Sequence, residues 1–464
     1  MNNNIHLIGI GGSGFSAIAR ILVHKGWHVS GSDNMYSPII DQLRKEGVKV
    51  FLSHDPANIQ NAELVVRSSA IQDDNPEVIE AKKRGLPVLK RVDFLKQVIG
   101  DQKCIAIAGS HGKTTTTAMV AWLFYECGMD PSYIIGGISK NLKTNAYAGS
   151  GEYFIIEADE YDHMFLGLEP DIAVITNVDY DHPDCFPTPE AYQKDFVKFI
   201  NQVKPNGSIL YSQDNPGAVS TMENIKSGRV VCSYGVMVNS DYLAINLRKN
   251  ENGGLTFGAV YLDEPAHRQF LATIDLRLPG AHNVRNALAA MAVAHRCGIP
   301  PKRAAEALAA YTGTERRFDI RCIVNEITII DDYAHHPTEI RSTLSAAREA
   351  YPNSRIVVVW QPHTYSRVQA LENEFSQSFT QADQIIVTEI YAAREKQQPY
   401  SSIIFAEKFG EKFKYFPNFD EINQFLIQTL KPGDLLMVLS AGDANAISAQ
   451  VASYFQQLSQ SAGK

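Results

Sequence analysis

The sequence predicts an α/β protein of three successive domains, and three observations carry that prediction. Short apolar, β-branched runs bounded by Gly, Asp or Asn alternate with helix-length segments, the pattern of parallel strands joined by crossover helices. Two glycine-rich turns, Gly9 to Gly14 and Gly109 to Thr115, each close a strand-like run and open a helix-like one. The alternation also breaks twice, at Gly100-Asp101-Gln102-Lys103 and at Tyr311-Thr312-Gly313-Thr314, the second break followed by Glu315-Arg316-Arg317. These breaks divide the 464 residues into 1–100, 101–314 and 315–464, each of ordinary domain size.

Composition narrows the partners. Hydrophobic residues make up 45% and charged residues 20%, the usage of a folded globular chain rather than a disordered one. Lys plus Arg number 43 against 51 for Asp plus Glu, a net charge of -8, which argues against nucleic acid as the main partner. The six cysteines are scattered without a C-x-x-C pair, so reduced thiols and a cytoplasmic location are expected. Met1-Asn2-Asn3-Asn4 leads into a strand without a basic and apolar leader, and no apolar run approaches the roughly 18 residues of a membrane span.

In the first domain, strands are expected over Ile5 to Ile10, Val48 to Leu52 and Leu64 to Arg67, with a helix from Phe15 to Lys25. Gly9-Ile10-Gly11-Gly12-Ser13-Gly14 fits G-x-G-x-x-G, with Asp33 as an acidic partner at the end of the next strand-like run. Such glycines let backbone amides and a helix N-terminus meet a pyrophosphate. The motif alone leaves NAD, and with it an oxidoreductase, open beside any other diphosphate.

In the second domain, the strand Cys104 to Ala108 runs into Gly109-Ser110-His111-Gly112-Lys113-Thr114-Thr115. Ile107 stands where the full phosphate-loop motif has its first glycine. The remaining G-x-x-G-K-T still supplies amides for phosphates, Lys113 as a point charge and Thr114 as a hydroxyl for Mg²⁺. As a loop lysine facing phosphates, Lys113 is expected to matter far more to catalysis than to folding. The strand Tyr153 to Ile156 ends in Glu157-Ala158-Asp159-Glu160-Tyr161-Asp162. Glu157 is the expected Mg²⁺ carboxylate, with some of the other acids expected to be solvated. The strand Ile172 to Thr176 leads to Asn177-Val178-Asp179-Tyr180-Asp181-His182, where His182 reads equally as a metal or phosphate ligand and as a surface residue. Alternating segments between 235 and 280 suggest an antiparallel addition. Asn283 and Asn286 open an Ala-rich helix on one face, where they either cap it or read an adenine edge.

In the third domain, strands are expected over Ile327 to Ile330, Arg355 to Trp360, Gln384 to Thr388 and Asp434 to Leu439. Two strand-end loops, Asp331 to Glu339 and Gln361 to Arg367, carry His beside ionic partners. Adjacent His335 and His336 rarely chelate one metal, so anion recognition is expected ahead of zinc.

Taken together, these motifs resemble the Mur ligases, ATP-dependent amide-bond ligases of peptidoglycan precursor synthesis. The likeness rests on Gly9 to Ser16, Ser68-Ser69-Ala70-Ile71 with Asn75-Pro76-Glu77, Gly109 to Thr116, Glu157 to Asp162 and Thr176 to His182. It continues through His282-Asn283, Arg316-Arg317-Phe318-Asp319, Asp332 to Glu339, Gln361 to Arg367 and Ser440-Ala441-Gly442-Asp443.

The resemblance implies a Rossmann-like first domain, a central phosphate-loop ATPase domain and a Rossmann-like third domain. It is strongest to the branch that joins L-alanine to UDP-N-acetylmuramate through an acyl phosphate. It implies that Gly11, Gly12, Ser13, Gly14, Asp33, Ser68 and Ser69 serve the UDP-sugar. By the same likeness ATP lies on Gly109 to Thr115 with Asn283 and Asn286 at the adenine, and Mg²⁺ lies near Thr114, Glu157 and His182. Arg317, Asp332 and His335 would face the nucleotide, and Tyr333, His363 and Arg367 the amino acid. Lys113, Glu157, His182, Arg317, His335 and Arg367 are the implied catalytic set. A monomer or homodimer is implied. Tyr161 stands where alanine-adding members are expected to carry Ser, and the same run resembles the murein peptide ligases, which attach a tripeptide to the same sugar nucleotide.

Overall fold

The computed structural model describes residues 3–264 and 267–462; Met1 and Asn2, on which the expectation of no leader partly rests, lie outside the described residues. Three sheets follow one another along the chain. The first joins β1 (Asn4–Ile8), β2 (His28–Ser32), β3 (Lys49–Phe51), β4 (Leu64–Arg67) and β5 (Val88–Lys90) in the order β3-β2-β1-β4-β5. All its pairs are parallel. The order reverses between β1 and β4, and the crevice outside their carboxyl ends is where such sheets bind ligands. Gly9 to Gly14 follows β1 and Ser68-Ser69 follows β4, so both motifs face that crevice.

A buried carboxylate fixes the loops behind it. Glu77 is fully buried and accepts from Ser32 Oγ at 2.5 Å and Asn58 Nδ2 at 2.7 Å. His54 Nδ1 and His6 Nε2 lie 3.2 and 3.4 Å from its oxygens. Ser32, Asn58 and His54 give this carboxylate three hydrogen-bond partners, the kind of pairing that burying such a charge requires.

The second sheet holds β6 (Lys103–Ala108), β7 (Ser132–Ile134), β8 (Ala146–Tyr147), β9 (Tyr153–Glu157), β10 (Ile172–Ile175), β11 (Ser208–Ser212), β12 (Val230–Gly235), β13 (Tyr242–Lys249), β14 (Leu255–Glu264) and β15 (His267–Leu276). Its order is β15-β14-β13-β12-β11-β10-β6-β9-β7-β8. The expected antiparallel addition is β13 to β15. Strand β6 is buried from Cys104 onward because helices cover both faces, which is why it reads as an unbroken apolar run. The helices Lys113–Glu126 and Ala281–Arg296 pack together on one face with Leu123, Phe124, Leu288 and Met291 inside. The small Ala side chains of the second helix let the backbones approach.

The third sheet joins β16 (Asp319–Val324), β17 (Ile327–Asp332), β18 (Ile356–Trp360), β19 (Gln384–Val387), β20 (Phe413–Tyr415) and β21 (Leu435–Leu439) in the order β16-β17-β21-β18-β19-β20. It is parallel apart from the β16–β17 hairpin. The loops after β17, β18 and β21 therefore emerge at one edge. Their motifs, distant in sequence, share that edge. All six cysteines are free, and among the described residues no helix is long and apolar enough to cross a membrane.

Candidate active site

The first glycine loop is held by its own fold. Gly9 has φ +86°, and a Cβ there would lie 2.9 Å from Ser68 Cβ. The N–H groups of Gly9 and Ile10 donate to Ser32 O at 2.8 and 3.1 Å. Asp33 accepts from Gly11 N at 2.9 Å and Met35 N at 3.0 Å, so it is a loop fastener as well as a candidate ligand contact. Helix Ser13–His24 starts at Gly12 with no side-chain cap, which leaves its first amides for an anion. Arg91, which no motif marked, fills the space a Cβ on Gly14 would take and lies 3.9 Å from Asp159 of the second domain. Ser13, Gly14, Arg91, Gly136 and Glu157 line one cavity between the first two domains.

In the second loop, Gly109 at φ +137° sits so close to β10 that a Cβ would collide with Thr176 Oγ1 and lie 2.9 Å from Asn177 O. Thr176 Oγ1 donates to His111 O at 2.6 Å, His111 N donates to Asn177 Oδ1 at 2.8 Å, and Ser110 Oγ donates to Asp179 O at 2.6 Å. The Thr176 to Asp179 run thus clamps the loop. Strand β9 pairs with β6 on the other side, with Glu157 opposite Ile107. That register brings Thr114 Oγ1 to Glu157 Oε1 at 3.0 Å, while Gly136 N donates to Oε2 at 2.6 Å. Burial pushes the Glu157 carboxyl up, against the pull of Lys113 and Gly136.

Lys113 corrects the expectation that it matters little to folding. Its Nζ donates to Gly109 O at 2.6 Å and to Glu160 Oε2 at 2.7 Å, and Glu160 is fully buried, not solvated. Burial works to lower the lysine, but Glu160 and Asp159 carry it above its ordinary value. His182, the third residue expected near Mg²⁺, stands among buried acids. Its Nε2 lies 3.6 Å from Glu160 and 3.7 Å from Asp181. The backbone turns there in the left-handed region, with His182 at φ +56°, which aims the ring toward those acids. Among the described residues no three His, Cys, Asp or Glu side chains converge on a metal position.

A second cavity opens between the middle and third domains. It is lined by His111, Gly112, Thr115, Asn283, Asn286, Arg317, Asp332 and Glu339 among others. Asn283 Nδ2 donates to Pro279 O at 2.8 Å, yet neither amide caps the helix, whose first turn begins at Gly280 without a side-chain cap. Asp332 accepts from Phe318 N and Ala334 N, each at 2.7 Å, and burial pushes its carboxyl up to about 6. His335, expected to face the nucleotide, lies behind Glu339, its Nδ1 3.2 Å from that carboxylate, with its ring 5.5 Å from those of His363 and Tyr333. Tyr333 is itself overlain by Arg316 at 5.0 Å and Arg317 at 4.9 Å.

Two acids that sequence reasoning passed over hold this seam. Glu339 accepts from His335 N at 3.1 Å and approaches His111 Nδ1 at 3.4 Å and Arg317 at 3.6 Å. Burial opposes its charge, but His335, His111 and Arg317 hold it well below the usual carboxylate range. Asp181 takes Arg367 Nε at 2.9 Å and Nη2 at 2.8 Å, with both side chains nearly inaccessible at 3% and 2%. Both nitrogens meet the same oxygen, Oδ1, and this buried pair bridges the middle and third domains. Arg367 Nη1 also lies 3.1 Å from His363 Nδ1. His182, Arg316, Phe318 and Thr364 all carry positive φ here, backbone strain of the kind that clusters at working sites.

The chain matches three family descriptions in order: the Mur ligase family catalytic domain at residues 4–103, the Mur ligase middle domain at 107–294, and the Mur ligase glutamate ligase domain at 316–442. It is 41% identical over 448 residues to the UDP-N-acetylmuramate–L-alanine ligase of Nitratidesulfovibrio vulgaris, covering 96% of this chain and 97% of that protein. The protein of that name from Clostridium acetobutylicum is 40% identical, with 96% of each chain covered. Among solved structures, the UDP-N-acetylmuramate-alanine ligase of Thermotoga maritima superposes with a TM-score of 0.81 at 27% identity, covering 98% of this chain and 99% of that one. A murein peptide ligase of Psychrobacter arcticus gives 0.72, also at 27% identity, covering 97% and 98%.

Proposed function

This chain belongs to the Mur ligase family, and from that premise we propose that it joins L-alanine to the lactyl carboxylate of UDP-N-acetylmuramate, converting ATP to ADP and phosphate. The observation that carries the choice of substrates is the near-full-length likeness to ligases of that name. We assign the three stretches 1–100, 101–314 and 315–464 to sugar nucleotide, ATP and amino acid in turn, in a cytoplasmic monomer or homodimer.

The diphosphate of the sugar nucleotide meets the turn from Gly11 to Gly14 and the uncapped helix N-terminus behind it, with Asp33, Ser68 and Ser69 bordering it. The cavity from Gly14 to Glu157 gives the lactyl arm a route to the phosphate loop. ATP lies along Gly109 to Thr115, its adenine beside Asn283 and Asn286 and its outer face closed by Arg317 and Asp332. Thr114 and Glu157 fit Mg²⁺, since two hard oxygens stand 3.0 Å apart beside the loop and the cation takes one or two carboxylates with phosphate and water. Bound there, it offsets charge on the β- and γ-phosphates.

A lactyl oxygen attacks the γ-phosphorus, the bond to the bridging oxygen breaks, and ADP leaves an acyl phosphate. The neutral amine of alanine then attacks the acyl carbon, and the tetrahedral intermediate expels phosphate. Lys113 faces the charge that develops on the phosphoryl oxygens, an electrostatic and positioning role. Glu160 keeps its ammonium aimed, and His182 braces Glu160. Arg367 and His363 take the carboxylate of alanine, with Tyr333 and His335 behind them. No covalent enzyme nucleophile is needed.

Oxygen transfer tests this reading. With ¹⁸O in the lactyl carboxylate, one label should appear in the released phosphate, and only when L-alanine is present. Label retained wholly in the product would contradict an acyl phosphate.

A further inference from the structure

A side-chain strap closes the rim of the seam just outside the Arg367 and His363 pair. Arg394, from the loop after β19, places Nε 2.9 Å and Nη2 2.8 Å from Asp184 Oδ2 of the middle domain. Its guanidinium lies 3.9 Å above the ring of Tyr161, and Tyr161 OH donates to the same Asp184 oxygen at 3.2 Å. One arginine therefore makes a charged contact and a ring contact at once, a geometry that lysine cannot reproduce. Arg394 keeps 40% of its side chain exposed, which puts the strap over the site and not inside it.

The loop that carries Arg394 is tied to the Arg367 loop on both sides. Tyr391 N donates to Pro362 O and Thr364 N to Tyr391 O, each at 2.9 Å, and the Tyr391 ring stacks on His363 at 5.7 Å. Glu395 accepts from Tyr365 N at 2.6 Å, at the start of the helix that bears Arg367. Between these ties, Ala393 turns through φ +51° and sends Arg394 across to Asp184. On the other side, the Tyr161 ring stands 5.1 Å from that of His182. The strap thus completes a ring of side chains from both domains around Arg367.

Peptide chemistry gives that ring a consequence. In a free amino acid the chain ends at the α-carboxylate. In a peptide that carboxyl is an amide, and the chain must run on past the group that would have held it. We infer that Arg394 and Asp184 form a specificity-determining strap that confines the amine substrate to a free amino acid by closing the path beyond Arg367 and His363. The inference rests on the proposal that these two residues hold the alanine carboxylate.

Full-length wild type, Arg394→Ala, Arg394→Lys and Asp184→Asn are compared by kcat/KM for L-alanine and for L-alanylglycine, with the product identified by mass. Wild type should prefer alanine strongly. In Arg394→Ala the preference should fall at least about tenfold, the scale of a steric pocket contact, by a gain on the dipeptide, with Asp184→Asn following and Arg394→Lys between. Equal losses on both substrates would show a purely structural role and overturn the strap, as would an unchanged ratio in all three variants. Wild type that used the dipeptide as well as alanine would overturn the strap and leave the ligase reading standing. Wild type that used neither would overturn both.

Discussion

Replacing Lys113 with Met removes the ammonium and keeps most of the stem. Glu160, fully buried, is then left with Tyr192 OH at 3.2 Å and His182 Nε2 at 3.6 Å. Removing one partner of a buried ion pair costs about 3–5 kcal/mol, and a loss of about 4 kcal/mol is expected here. Lys113→Met/Glu160→Gln replaces the orphaned acid with a neutral amide that still accepts from Tyr192, and should recover at least about half of that loss. Activity should stay down by about 10²–10³ in both variants, because the charge facing the phosphates is gone. Urea titration followed by hydrogen exchange in helix 113–126 reads the middle domain by itself, since a chain of three domains need not unfold in one step. A single variant as stable as wild type, or a double variant no more stable than the single, would refute the pair. Restored activity in the double variant would refute the role of the charge.

Acid should destabilise the fold below pH 6.5. Burial holds His282 and His335 at about 4, His336 at about 3 and His363 at about 2, so the unfolded chain takes up protons near 6.5 that the folded one refuses. Asp331 and Asp332, pushed up by burial to about 6, work the other way, because the folded state takes those two protons first. His111 binds its proton more tightly when folded, since Glu339 outweighs burial, and adds a smaller opposing effect nearer neutrality. The net uptake on unfolding is about two protons, or about 2–3 kcal/mol per pH unit between pH 6 and 4, measurable as urea midpoints; a flat profile would contradict it. Below about pH 4, protonation of Asp181 and Glu339 should remove more stability. Asp181→Asn should raise KM for L-alanine by about 10–100-fold, the weight of a charged hydrogen bond, while ATP affinity measured by calorimetry stays near wild type. Unchanged KM would detach the pair from the amino-acid site. Gly109→Ala should abolish ATP binding and cost more than about 2 kcal/mol, since the added Cβ meets Thr176 and Asn177 in a strained backbone; normal nucleotide titration would show that the loop has room.

What was legible in the sequence was local. Turn glycines at Gly9 and Gly109 and buried runs such as Cys104 to Ala108 placed both loops on strand-to-helix turns. The alternation between 235 and 280 marked β13 to β15. Strands β11 and β12 passed unnoticed because Ser208–Ser212 and Val230–Gly235 interrupt their apolar residues with Ser and Gly. The site was legible in its motifs and not in its partners. Lys113 meets Glu160 across 47 residues and Arg367 meets Asp181 across 186, and nothing in either segment encodes the sheet order that brings them together. Glu339 was visible only as part of a histidine-rich loop, and its role as the hub of His335, His111 and Arg317 depends on domain packing. Arg91 follows β5 without any motif and is placed by Gly14 of its own domain and by Asp159 of the second.

Phosphate release reads out which two substrates are joined. Full-length protein is supplied with ATP, Mg²⁺, UDP-N-acetylmuramate and one amine at a time from a panel of L-alanine, glycine, L-serine and L-Ala-γ-D-Glu-meso-diaminopimelate. Phosphate should appear at a high rate with L-alanine, and omission of any single component should stop it. Rapid release with the tripeptide and none with L-alanine would show a peptide ligase in place of an alanine ligase.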